Sequence, residues 1–225
     1  MRQLFLIVSL VFVSSISLAQ QSKTLNAVVV KLNSVKDYTV NARVVAAVPM
    51  IKIKEVNAVL YFKQKDKFKI DAKGIAVLPK QGFIELNKFL TNTSKYMAIE
   101  STGKVIGGVS TLMVTVIPTD ESTDIILAKL WIDSKKNLIL ASQLTTKSSG
   151  VMTTNYTYTD QAQFGLPSTM IFEIDVKRFK MPKSVAANIH QTDKRDDSKK
   201  DKQGKITVYL TGYKVNKGIS DNIFK

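Results

Sequence analysis

Apolar and polar residues alternate one by one along most of this chain. In STMIFEIDVKRF, residues 168–179, Met170, Phe172, Ile174 and Val176 fall on one side of an extended segment and Glu173, Asp175 and Lys177 on the other. Period two marks a strand with one dry face and one wet face. The same period runs through YTVNARVV from Tyr38, VNAVLYFKQ, KFKIDAK, KYMAIES, KVIGGVSTLMVTVIP, IILAKLWID, NLILASQLTTKS, VMTTNYTYTD and KITVYLTGYKV. A shorter strand in IAVLPKQGF ends at Pro79 and Gly82. Turn residues separate these runs: Lys65-Asp66, which predicts a hairpin, then Thr102-Gly103, Pro118-Thr119-Asp120, Asp133-Ser134-Lys135, Ser149-Gly150 and Gly165-Leu166-Pro167. Gly107-Gly108, inside the long run from Lys104, predicts a bulge or a sharp bend.

Two stretches leave this period. From Ser22 to Lys36, Leu25, Val28, Val29, Leu32 and Val35 recur at helical spacing, with Lys23, Asn26, Lys31 and Asn33 elsewhere on the wheel. A second, short helix is predicted in IELNKFLTN, where Ile84, Phe89 and Leu90 supply the apolar positions. Short connections between one-sided strands imply an antiparallel meander, because parallel strands need long crossovers. So many dry faces require either two packed sheets or one strongly curved sheet around a helix. A leading amphipathic helix and a small helix inserted early favour the second. The expected fold class is mainly β (α+β): a single strongly curved antiparallel sheet, a half-barrel, with both helices covering its concave face.

Composition sets the compartment. Arg2, the apolar run Leu4 to Val13 and then SSISLAQ, with Ser17 and Ala19 at the small-residue positions, read as a cleaved secretory signal over residues 1–19. Its apolar core is about half of what a bilayer span requires. Residues 20–225 are then expected to form one domain without a transmembrane segment. The chain holds no cysteine, so its core alone must stabilise it. The net charge of +15 favours anionic partners. Export argues against nucleic acid, and the blander reading is a solvated lysine-rich surface. Residues 181–204 break the strand pattern. Ten Lys or Arg against four Asp over residues 177–205 predict a basic, mobile loop before the last strand.

Catalysis is not expected. The single histidine, His190, lies in that loop, and with no cysteine neither a nucleophile pair nor a zinc site is in prospect. Glu173 and Asp175 point to the wet side of their strand. No catalytic residue, metal or cofactor is assigned.

The leading helix, the hairpin VLYFKQKDKFKID, the strand pair LWIDSKKNLIL, then YTYTD and LPSTMIFEIDV, in this order after a signal segment, resemble the LolA/LolB superfamily of periplasmic lipoprotein carriers and sorting proteins. The resemblance covers most of residues 20–225. It implies a periplasmic, monomeric carrier that holds acyl chains of a lipoprotein or lipid in an apolar cavity for transfer toward an outer membrane. It also implies an envelope membrane protein or receptor as partner. The lining expected for such a cavity is Leu60, Phe62, Phe68, Ile70, Leu112, Val114, Leu130, Ile132, Leu140, Met170, Phe172, Ile174, Val208 and Leu210, and the lid is Leu25, Val29, Leu32, Phe89 and Leu90. Arg43 is the candidate latch that the resemblance suggests; an exposed strand arginine is the plainer alternative. Alternation is the same for a filled interior as for an open one. The competing function is therefore a binding or sensing module that carries no lipid and meets an envelope protein through its basic surface or a sheet edge.

Overall fold

The computed structural model describes residues 22–47, 54–64, 67–72, 85–175 and 203–225, with the backbone alone of Ile174, Asp175 and Gln203. The expected signal segment, the Lys65-Asp66 turn, the IAVL strand, His190 and nearly all of the basic segment lie outside the described residues.

Helix α1 spans Lys23–Asn33. Ser22 starts it by accepting the Leu25 N–H at 2.9 Å, which satisfies one of the donors a helix start leaves open. Its stripe of Leu25, Val28 and Val29 is buried. After Ser34 the chain turns directly into β1, Asp37–Ala47. A hairpin of β2, Val56–Lys63, and β3, Lys67–Ala72, follows. Next come α2, Leu86–Thr91, β4, Tyr96–Ile106, and β5, Val109–Pro118. The remaining strands are β6, Ile125–Asp133, β7, Leu138–Thr146, β8, Gly150–Thr157, β9, Thr169–Asp175, and β10, Gln203–Val215.

Among the described residues these strands form one antiparallel ten-stranded sheet, ordered β3-β2-β1-β10-β9-β8-β7-β6-β5-β4. It is an unclosed half-barrel built from two meanders, β1 to β3 and β4 to β10, joined where β10 pairs with β1. That topology explains α2. Strands β3 and β4 are opposite edges, and α2, which lies between them in the chain, buries Leu86 and Leu90 in the core on the concave face.

Two turn expectations are corrected. Gly107-Gly108 is neither a bulge nor a bend inside one strand but the hairpin turn between β4 and β5, with φ of 55° and 81°. Positive φ at both central positions matches the right-handed twist of the flanking strands, and glycine adopts it without steric cost. Thr102-Gly103, expected as the turn, lies inside β4 at a register shift between Thr102 and Val105. A side chain at Gly103 would collide with Thr111. At the other end of the chain β10 already begins at Gln203, inside the segment expected as loop.

Register places one side chain of every second residue on the concave face. Leu60 stands opposite Val40, Val114 opposite Leu130, and Phe172 opposite Ile206. All six are essentially inaccessible and belong to one core with Leu25, Val28 and Val29 of α1.

Candidate ligand-binding trough

Both ends of α1 are tied to the sheet, but unequally. At its start Glu100, on the concave face of β4 opposite Val114, receives the Ser22 hydroxyl at 2.5 Å and the Thr24 N–H at 3.1 Å. The carboxylate thus sits at the positive end of the helix. The Ser22 hydrogen bond, with a smaller contribution from the Thr24 N–H, holds the Glu100 pKa below its ordinary value against a partial loss of solvation.

The end of α1 is held far more firmly. Lys31 Nζ donates to the carbonyls of Lys136 at 2.6 Å and Ala162 at 3.3 Å. Gln64 Nε2 donates to the Asn33 carbonyl at 2.8 Å, and Asn216 Nδ2 to the Ser34 carbonyl at 3.0 Å. Asn216 Oδ1 in turn accepts the Lys36 N–H at 2.7 Å. Just beyond, the buried Asp37 carboxylate accepts the N–H groups of Lys217 and Gly218, both at 3.1 Å.

The expected lining falls into three groups. Leu60, Val114, Leu130, Ile132, Met170, Phe172, Val208 and Leu210 are buried in the core, while Phe62, Phe68 and Ile70 are partly buried against it. Leu112 shares the concave face, opposite Ile132, but is partly exposed. Leu140 stays outside the core cluster and Ile139 joins it, because the register shifts between Trp131 and Ile132 and breaks the alternation. The Ile174 side chain lies outside the described residues. Of the expected lid, Leu25, Val29 and Leu90 are buried, and Leu32 and Phe89 pack partly buried against the core.

Arg43 is not where a latch would be. Its neighbours Ala42 and Val44 are the buried ones, so its side chain takes the convex face. There it lies 4.2 Å above the Tyr209 ring and pairs with Glu55 at 3.1 Å. The group that touches the start of α1 is Glu100, a charge in a dry position of β4 that the sequence reading passed over.

In its described part the trough is packed by α1 and α2 over one core. Beneath the second half of α1 a cavity of about 40 Å³ remains, an order of magnitude below the roughly 300–1,000 Å³ of ordinary ligand pockets. Val28, Leu32, Leu86 and Met170 form its apolar wall, and Tyr38, Tyr156, Tyr158 and Tyr213 its aromatic one. Burial pushes the Tyr156 hydroxyl up to about 12, partly countered by its hydrogen bonds to Ser142 and Thr154. Burial likewise raises Tyr38, Tyr158 and Tyr213. Two of the four, Tyr156 and Tyr158, are the aromatic positions of YTYTD, where period two was visible but a polar site was not. Among the described residues no cluster of His, Cys, Asp or Glu is arranged to hold a metal ion, and no helix is long and apolar enough to cross a membrane.

No protein-family model matches the chain, and no curated protein matches it. Solved structures do. A domain described as an outer membrane lipoprotein-sorting protein from Vibrio parahaemolyticus superposes with a TM-score of 0.51 at 9% identity, over 89% of this chain and 95% of that one. A LolA superfamily protein from Nitrosomonas europaea gives 0.52 at 12% identity, over 91% and 98%. A DUF1329 family protein from Desulfovibrio piger gives 0.54 at 10% identity, over 90% and 95%. The fold is LolA-like.

Proposed function

We propose that this protein is a periplasmic carrier that takes up the acyl chains of a lipoprotein or lipid in its trough and delivers them toward an outer membrane. One observation carries the reading: among the described residues a ten-stranded apolar face is covered by one amphipathic helix and a two-turn one, with no second sheet. Helix α1 fills the trough in the resting state. Its firm anchorage around Asn33 to Asp37 and its light one at Ser22 suit a lid that pivots at its C-terminal end and lets go of Glu100. The LolA-like fold supports the carrier class; the particular cargo and the export route belong to the proposal.

A second reading has its own observation. Strand β4 is a free edge, and Met97, Ile99 and Val105 on it are 48, 58 and 66% exposed. Proteins commonly blunt such edges, so this one favours an envelope protein that docks by strand addition without any lipid.

Native mass spectrometry with solvent extraction, on protein purified from a bacterial periplasm without detergent, separates the two. Bound phospholipid, fatty acid or acylated peptide is expected. A bare protein mass, together with no uptake of a fluorescent fatty acid, refutes the carrier reading and directs the search to β4.

A further inference from the structure

Strand β4 is one rim of the half-barrel, and its two faces differ. On the concave side Glu100 holds the lightly anchored start of α1. On the convex side the strand presents Met97 and Ile99, 48 and 58% exposed, because Ala98 and Glu100 stand opposite the buried Val116 and Val114. Register continues the apolar patch inward. Ile117 of β5 stands opposite Met97, and Trp131 of β6 stands opposite Met113 of β5. Two cations join it: Lys104 Nζ lies 4.5 Å from the centre of the Trp131 ring, and Lys129 stands opposite Thr115 on the same face. None of these paired convex positions, from Met97 across to Trp131, carries a carboxylate.

The opposite rim is built differently. A 3-10 turn at Asp221–Phe224 lies against β3. Its Asp221 carboxylate pairs with Lys63 at 2.7 Å and Lys67 at 2.8 Å, and Lys69 Nζ donates to the Ile223 carbonyl at 2.6 Å. The cations of that rim are met from within the chain. On the β4 rim, lysines and exposed aliphatic side chains share a face without acids, and such a patch marks a contact surface. An anionic bilayer complements both: phosphates attract Lys104 and Lys129, and the interfacial layer receives Met97, Ile99 and the amphipathic Trp131 ring. A strand-adding protein would use the β4 backbone and needs neither the cations nor the apolar rows behind the edge.

Resting on the carrier reading, we propose that the convex face of β4 to β6 docks on an anionic membrane surface. Docking there brings the light end of the lid, on the other side of β4, to the bilayer, where an acyl chain crosses the β4 rim.

Trp131 is the only tryptophan of the chain, so its emission reports contact at this face. Protein purified from a bacterial periplasm is mixed with phosphatidylcholine vesicles, plain or holding about 30 mol% phosphatidylglycerol. With the anionic vesicles the emission should shift to the blue and be quenched by lipids brominated near the top of their chains; plain vesicles should bind about tenfold more weakly. Ile99→Glu should abolish the shift. Lys104→Gln with Lys129→Gln should weaken binding about 25-fold, at about fivefold for each lysine near the surface. Lys205→Gln with Lys214→Gln removes the same charge from β10, four strand spacings or about 19 Å along the sheet from β6, and should change binding less than about twofold. Palmitate uptake without vesicles should be kept in every variant, which also shows that each is folded. Equal losses in the two lysine pairs, or no Trp131 response to anionic vesicles, overturn the docking face and return β4 to a strand-adding protein; palmitate uptake then leaves the carrier reading standing. A Trp131 response without palmitate uptake sustains the docking face and overturns the carrier reading.

Discussion

If α1 fills the trough at rest, an acyl chain must displace it, and chain length then decides whether binding occurs at all. The helix buries Leu25, Val28 and Val29. At roughly 1.5–3 kcal/mol for each fully buried aliphatic side chain, undocking them costs about 4.5–9 kcal/mol. An acyl chain entering the same space returns about 0.8 kcal/mol per methylene. About six to eleven methylenes are therefore needed merely to offset the helix. The perturbation is a series of saturated fatty acids from six to eighteen carbons, measured by calorimetry or by displacement of a fluorescent fatty acid below the micellar range. The six- and eight-carbon acids should not bind detectably. Beyond the threshold, affinity should rise about fourfold per added methylene, the equivalent of 0.8 kcal/mol, until the trough is full. A flat series, or an eight-carbon acid that binds as well as a sixteen-carbon one, would refute the displacement argument and place the ligand on the surface.

Other outcomes follow from the same geometry. Leu32→Asp sets a charge on the half-buried underside of α1; bound lipid should fall several-fold while the strand signal in circular dichroism is kept, and equal loss of both would make the helix ordinary core. Glu100→Gln weakens the charge-assisted bonds at Ser22 and Thr24. Discounted for the exposure of Glu100, they contribute about 0.5–1 kcal/mol, so amides in the first turn of α1 should exchange two- to fivefold faster while β5 to β7 are unchanged. Because the folded pKa of Glu100 is lowered, its contribution is complete above the ordinary glutamate value and is lost as the pH falls through the lowered one. Wild-type α1 should loosen over that acidic interval, and the Gln variant should show no such step.

Much of this fold is legible along the chain because a one-sided strand writes its burial at every second residue. The helices, the hairpin of β2 and β3, and the dry set Leu60, Val114, Leu130, Phe172 and Val208 all follow from local periodicity. Pairing across long separations does not. Nothing near β3 announces that β4 lies at the opposite edge, or that α2 packs into the trough between them. The bulge that exchanges Leu140 for Ile139 depends on the partner strand β6. Arg43 was readable, since dry neighbours at Ala42 and Val44 put it on the wet face; the family resemblance, not the residue pattern, made it a latch. Glu100 was readable in the opposite sense, as a carboxylate on a dry face, but its purpose appears only when Ser22 is set beside it.

If α1 is a gate, a lock on its free end must stop lipid entry. The chain holds no cysteine, so Ser22→Cys combined with Glu100→Cys supplies the only two thiols, to be joined by a short reducible bifunctional reagent. Palmitate uptake should be abolished in the locked protein and restored when the bridge is reduced. Uptake at the unlocked affinity while the bridge is intact would contradict the account: the trough would then be an ordinary filled core, and any lipid would bind elsewhere.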